Sequence, residues 1–441
     1  MSTSRPSDAS GGAAAANVAR VVDHLFRRET GRLVAILTRR FGAKHLHLAE
    51  DVVQDALIRA MQTWPFTGVP QNPSAWLLQT AKNRALDHTR RANIWRGRQE
   101  SLVPLMENCL HAAVETPAPQ FEDEIRDSQL RMMFVCCHPA LPVAAQVALT
   151  LKTLCGFGER EIAAAFLASE PAVVKRLVRA RQVLREQGIS LDLPDAAQLA
   201  SRLDAVRQAL YLLFNEGYKA SQGDSLLRTD LCAEALRLGG LLVAHPVGDQ
   251  PATHALLALM HFNAARLPAR VDDAGGLLVL AEQDRSRWDR RQIARGIAEL
   301  ERAAAGGEVT RFHLEAGIAA CHSLAADEAS TDWPQILALY DELLARDASP
   351  VVALNRAVAL AKVHGPTAGL RAIKEMGGRD ALENYHLRHA VAGQLWLDAG
   401  EPARAAASFR RAHMLAALDA ERVFLDRRIA AAEAAADTGA G

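Results

Sequence analysis

Residues 82–98 read KNRALDHTRRANIWRGR and set Lys82, Arg84, Arg90, Arg91, Arg96 and Arg98 against one acid, Asp87. Cations at that density suit a polyanion, because each one that neutralises a phosphate releases a counterion, and Trp95 adds a ring able to stack on a base or to pack inward. A second basic run starts at Pro171. There Lys175, Arg176, Arg179, Arg181 and Arg185 surround a stripe of Val173, Leu177, Ala180 and Leu184, with no acid before Arg185. A third group is acidic: Glu50, Asp51, Gln54 and Asp55 crowd one face at the start of a helical pattern. Each group alone has a plain reading, since basic faces are often just solvated and acids favour a helix N-terminus through its dipole.

The elements that must carry these residues change the weighting. In AEDVVQDALIRAMQTW (49–64), Val53, Leu57, Ala60 and Trp64 form one apolar stripe, so the acids and Gln54 face out. A Pro/Gly loop, WPFTGVPQNPS, leads to a helix with Trp76, Leu77, Ala81 and Leu86 inward and the first basic run outward. Farther on, GEREIAAAFLASEPAVVKRLVRAR reads as a short helix over 161–166, a turn with Ser169 as N-cap, and a basic helix that tolerates Pro171 in its first turn. Short helix, tight turn and basic second helix make a helix-turn-helix, whose second helix fits the major groove of DNA. Arg there can hold phosphate or read guanine.

Over the 441 residues, 51 Lys and Arg balance 51 Asp and Glu. The balance hides an asymmetry: residues 1–188 hold 24 basic and 18 acidic residues, leaving 27 and 33 for 189–441. The first part suits a polyanion and the second does not. Helical periods dominate and alternating β-branched runs are scarce, which predicts an all-α chain. The expected organisation is a floppy tail over 1–17, a helical domain over 18–98, a linker over 99–123, the helix-turn-helix domain over 124–188, and a helical block over 199–435. No apolar run approaches the ~18 residues of a membrane span, so a soluble cytoplasmic protein without membrane contact is expected. The six cysteines show no C-x-x-C pair and are expected to be reduced and buried.

Within 199–435, Ala357 and Ala390 are 33 apart and Gly365 and Gly400 are 35 apart. A period near 34, with a small-residue helix, a Gly turn and a second helix, is similar to a tetratricopeptide repeat (TPR). The polar cluster EQDRSRWDRR, with Glu282, Asp284, Arg285, Arg287, Trp288 and Asp289, could be catalytic but is read as a salt-bridge corner. His245, His254 and His261 lack the i, i+4 spacing of a helical metal pair. No metal, cofactor or catalytic residue is expected, and TDWP (331–334) reads as a helix start.

The segments EDVVQDALIRAMQTW, AWLLQTAKNRALDHTRR and GFGEREIAAAFLASEPAVVKRLVRAR resemble, in order and spacing, regions 2 and 4 of an extracytoplasmic-function (ECF) sigma factor of bacterial RNA polymerase. LYLLFNEGYKAS, LCAEALRLGGLL, LLVLAEQDRSRWDR and TDWPQILALYDELL are similar to the long C-terminal extension of one ECF subgroup, described as TPR-like. The resemblance implies a region 2 bundle, a region 4 helix-turn-helix and a regulatory extension. It implies docking on core polymerase, at the β′ clamp helices through Asp51, Gln54 and Asp55 and at the β flap. It places Trp64, Lys82, Asn83, Arg84, Arg90 and Arg91 on the −10 promoter element, and Lys175, Arg176, Arg179 and Arg181 on the −35 element. The extension would then set activity in response to a protein or ligand. A one-component helix-turn-helix regulator with a sensing domain is the other reading; it would have no use for the acidic face of Asp51, Gln54 and Asp55.

Overall fold

The computed structural model describes residues 30–38, 46–96, 127–186, 196–221, 227–272, 276–376 and 382–438. The proposed tail over 1–17 and the whole of the proposed linker over 99–123 lie outside them. Among the described residues the chain is helical, with a single β-bridge between Val271 and Leu277 and no strand. It divides into two compact units, Met1–Leu213 with His245–Val247, and Phe214–Ala244 with Gly248–Gly441.

In the first unit, α1 (30–38) buries Leu33, Val34, Ala35 and Leu37. The next helix, α2 (Leu46–Thr67), buries Leu46, Ala49, Val52, Val53, Ala56, Leu57, Ala60 and Trp64, the three-and-four spacing of one helical face. It ends at Gly68, whose φ of +79° suits a residue without Cβ and whose N–H donates to the Trp64 carbonyl at 2.9 Å. Asn72 starts α3 (Pro73–Arg96) by accepting the Ala75 N–H at 3.0 Å. Leu77, Ala81 and Ala85 are its buried contacts.

Asp127 caps α4 (Ser128–Cys136), taking the N–H groups of Gln129 and Leu130 at 2.9 Å each. The following helix, α5 (Val143–Leu154), is buried along most of its length and is the centre on which α4, α6 (Glu159–Ala165) and α7 (Glu170–Glu186) pack. Arg202, on the early part of α8 (Ala196–Tyr218), donates to the Phe134 carbonyl at 2.9 Å, anchoring that part of the helix in the first unit.

In the second unit α9 (Thr229–Val243) leads to α10 (Pro251–Ala265), which is buried on nearly every side. A helix apolar all round belongs at a centre, and α9, α11 (Arg290–Ala303) and α12 (Arg311–Leu324) cover it. Consecutive helices follow: α13 (Trp333–Arg346), α14 (Pro350–His364), α15 (Pro366–Glu375), α16 (His386–Asp398), α17 (Pro402–Leu415) and α18 (Asp419–Thr438). Each packs on the next, and buried clusters around Ile336, Leu354 and Phe409 run along them. The repeated glycines are turn residues: Gly365 and Gly400 have φ of +87° and +76°. Asp332, rather than Thr331, caps α13, accepting the Gln335 N–H at 2.9 Å.

Candidate polymerase and promoter interface

The acidic group on α2 splits into two. Asp51, Gln54 and Asp55 are exposed on the face opposite the buried stripe, with Asp51 3.2 Å from His47. Glu50 instead turns inward, its side chain only 15% exposed. Its Oε1 accepts the Thr153 hydroxyl at 2.7 Å, and both carboxylate oxygens lie 3.1 Å from Arg181 Nη2. This contact joins α2 to α5 and α7. A second close approach lies beside it: a Cβ added at Gly31 would come within 1.9 Å of the Leu154 carbonyl oxygen, so the α1 backbone rests directly on the end of α5.

Trp64 is not where the resemblance would place a base-binding ring. It is 1% exposed and meets Trp76 edge-on with ring centroids 5.4 Å apart. The reason is the helical register: Trp64 follows Val53, Leu57 and Ala60 on the buried stripe. The aromatic that this end of α2 presents to solvent is Phe66, 89% exposed. Its position two residues off the buried stripe, beside the proline-rich loop, is the feature of the sequence that marks it as exposed. On α3, Asn83 is exposed and accepts from the Gln79 amide at 3.1 Å, while Lys82 and Arg84 are half-buried. Arg90 and Arg91 belong to α3, but their side chains, with those of Trp95 and Arg96, lie outside the described residues, as does Arg98.

The helix-turn-helix is formed by α6 and α7. Glu161 closes the start of α6 by accepting the Gly158 N–H at 2.6 Å, and the helix begins at Glu159, two residues before its expected start. The turn runs through Leu167, a non-glycine at φ +48°. Val173, Leu177 and Ala180 bury one face of α7. Lys175 and Arg179 are exposed, Arg176 lies over the Phe166 ring at 5.1 Å, and Arg181 faces Glu50. The four cations expected at the −35 element therefore divide into two that face solvent and two that pack within the unit. Val174 and Val178, 41% and 57% exposed, share the solvent-facing surface. Apolar residues there suit a thymine methyl, and their i, i+4 spacing off the stripe of Val173, Leu177 and Ala180 is the sequence signal for them.

The 282–289 cluster is structural in its geometry. Asp284 and Asp289 cap short helical starts, Glu282 pairs with Arg428 at 2.6 Å, and Arg285 donates to the carbonyls of His322 and Ala325 at 2.7 and 2.8 Å. Among the candidate metal histidines, His254 bonds Asp249 and Glu299 at 2.7 and 2.5 Å, and His261 bonds Gln292 at 2.6 Å. Of the described cysteines, Cys136, Cys137, Cys155 and Cys232 are buried thiols and Cys321 is half-buried. Burial pushes Cys137 and Cys232 up to about 12, the opposite of a reactive thiolate. No helix among the described residues is long and apolar enough to cross a membrane.

Comparison with known proteins adds three family matches. Residues 25–94 match sigma-70 region 2, residues 131–184 match sigma-70 region 4, and residues 202–304 match a family of unknown function (DUF6596). An uncharacterized protein of Rhizobium meliloti (strain 1021) is 37% identical over 387 residues, covering 87% of this chain and 89% of its own length. No solved structure matches.

Proposed function

The chain belongs to the extracytoplasmic-function sigma factors of bacterial RNA polymerase, in the group with a long C-terminal extension, and from that membership we propose how its residues divide the work. A sigma factor binds core polymerase and promoter DNA and starts transcription. Asp51, Gln54 and Asp55 dock on the β′ clamp helices, where carboxylates and an amide meet a polar, basic surface. Lys82, Asn83, Arg84, Arg90 and Arg91 hold the strands of the opened −10 element, and Phe66, in place of Trp64, offers its ring to an unstacked base. The −35 element is taken by α7, with Lys175 and Arg179 at the DNA; Arg176 and Arg181 join them once they leave Phe166 and Glu50. Contact with the β flap completes the docking. The extension, with TPR-like helix pairing and an excess of acid, sets the activity of these regions.

One observation carries this reading: a single chain presents an exposed acidic face on α2 and an exposed basic face on α7, each backed by its own buried stripe. A DNA-binding regulator that works without polymerase needs the second and has no use for the first. A pull-down with purified core polymerase tests it. Wild type should bind, and Asp51→Ala/Gln54→Ala/Asp55→Ala should bind about tenfold or more weakly with its helix content unchanged. Wild type that does not retain core, or a triple variant that binds equally well, would contradict the assignment.

A further inference from the structure

The second unit contains a group of three cations, two of which have no acidic partner among the described residues. Arg270 is 9% exposed, and its guanidinium carbon sits 3.8 Å from the Tyr218 ring centroid. Arg266 lies 6.0 Å from the same ring and 5.8 Å from the Trp288 ring, and Arg285 lies 4.8 Å from Trp288. Three guanidiniums thus alternate with two rings. Arg285 is occupied, since it donates to two backbone carbonyls and lies 3.4 Å from the Thr331 hydroxyl. The other two are not. Arg266 makes one long hydrogen bond, 3.4 Å to Gln283 Oε1, and among the described residues neither Arg266 nor Arg270 forms an ion pair.

Burying a guanidinium without a counter-charge is costly, and cation–π contact returns part of that cost. Elsewhere in this unit buried cations do meet acids, as Arg228 meets Glu216 at 3.5 Å. The rings beside Arg266 and Arg270 carry unsatisfied groups too. Among the described residues, Arg270 Nε, Trp288 Nε1 and the Tyr218 hydroxyl are buried with no hydrogen-bond partner. Trp288 is 2% exposed, so no bulk water serves its N–H. Every one of these groups is able to donate. The electrostatics agree: burial, with Arg270 and Arg285 adding to it, lowers the Arg266 guanidinium, and burial together with Arg266 and Arg285 lowers His322 to about 4. A neutral histidine beside the cluster adds no further positive charge at pH 7.

We propose that Arg266 and Arg270, with the Tyr218 hydroxyl and Trp288 Nε1, form a binding site for a small organic oxyanion, a carboxylate or a phosphate, within the extension. Guanidinium matches the planar, two-oxygen edge of either group, and the aromatic walls accept the attached carbon skeleton. The site falls in the 202–304 segment whose family has no assigned function. Binding at this site is independent of the sigma-factor reading; its consequence for transcription rests on that reading.

Thermal unfolding of the full chain tests it, comparing chloride, inorganic phosphate and citrate at matched ionic strength for wild type, Arg270→Gln and Arg266→Gln. Wild type should gain about 5–10 °C in one of the two oxyanions at hundredfold excess over Kd, and which one names the chemistry. Both variants should lose that gain. In chloride they should unfold at or above the wild-type temperature, since each removes a buried, uncompensated charge. Equal shifts in wild type and variants, or no shift in wild type, would overturn the proposal. So would variants that unfold well below wild type in chloride, which would make the arginines part of the packing. A shift produced by polyglutamate but by neither small anion would also overturn it, in favour of a protein partner.

Discussion

Helix α7 of the first unit and the later helices of the second use the same residue types in opposite ways. On α7, Lys175, Arg179 and Arg185 are exposed and have no ion-pair partner among the described residues. On the later helices of the extension, several cations are matched to acids: Arg311 with Glu315 at 2.8 Å, Arg356 with Asp341 at 2.5 Å, Lys362 with Glu328 at 2.6 Å, Arg427 with Asp272 at 3.0 Å, and Arg410 with Glu433. A cation already paired has little left for a phosphate, whereas an unpaired one on a helix face releases counterions when DNA arrives. The zero net charge of the chain is therefore the sum of a basic excess in residues 1–188, where cations stay open on α7, and an equal acidic excess in residues 189–441. Arg181 sits between these cases. It belongs to α7 yet is held by Glu50, a residue of α2.

The largest effect expected from this contrast comes from Lys175→Ala/Arg179→Ala. Duplex affinity of the polymerase-bound protein should fall on the order of 100-fold, and the slope of log affinity against log salt should lose about two units. Gel shifts across a salt series measure both. Neutralising a paired cation such as Arg356 should leave the slope unchanged. A smaller effect tests the position of Arg181. Glu50→Gln removes the charge that holds Arg181 while keeping an acceptor for Thr153. A partly exposed pair of this kind is worth about 1 kcal/mol, so duplex affinity of the free chain should rise about fivefold. Unchanged affinity would mean that Arg181 does not reach DNA.

The smallest effect separates two pH windows in the extension. The folded chain keeps His322 down at about 4, against an ordinary 6.5. Between those values the unfolded chain takes up a proton that the folded one refuses. Stability is then complete above about pH 6.5 and declines as pH falls toward 4. His322→Gln should flatten that decline in unfolding temperature. Glu421 works lower. Burial opposes its ionisation, but His386 at 3.1 Å and Lys219 at 3.2 Å outweigh burial and hold it at about 2. Its contribution is present above about 4.5 and is lost only as pH falls toward 2, so the two groups are separable in one titration.

Much of the fold was legible because it rests on local chemistry. The stripe Val53, Leu57, Ala60 and Trp64, the turn glycines Gly365 and Gly400, and the start of α13 are each decided by neighbours a few residues away. The candidate interface was legible in part. Exposure of Asp51, Gln54, Asp55, Lys175 and Arg179 follows from helical period alone. Pairing across the fold does not: Glu50 and Arg181 are 131 positions apart, and nothing in either helix says that they meet. Trp64 shows the competition directly. As an aromatic beside a proline-rich loop it suits a flipped base, and as the next member of a buried stripe it suits the core. Packing won because removing so large an apolar surface from water outweighs what the ring would gain outside. The arginines at 266 and 270 were invisible for a related reason, since only the folded chain shows that no acid among the described residues pairs with them.

As a sigma factor, this chain should direct polymerase to begin RNA synthesis at particular places. Transcripts made in vitro on the source genome by core polymerase, with and without the full chain, test it through their mapped 5′ ends. Discrete new start sites should appear in the presence of the chain, each preceded by two shared sequence blocks at constant spacing, and Lys175→Ala/Arg179→Ala should abolish them. A pattern of 5′ ends identical to that of core polymerase alone would contradict it.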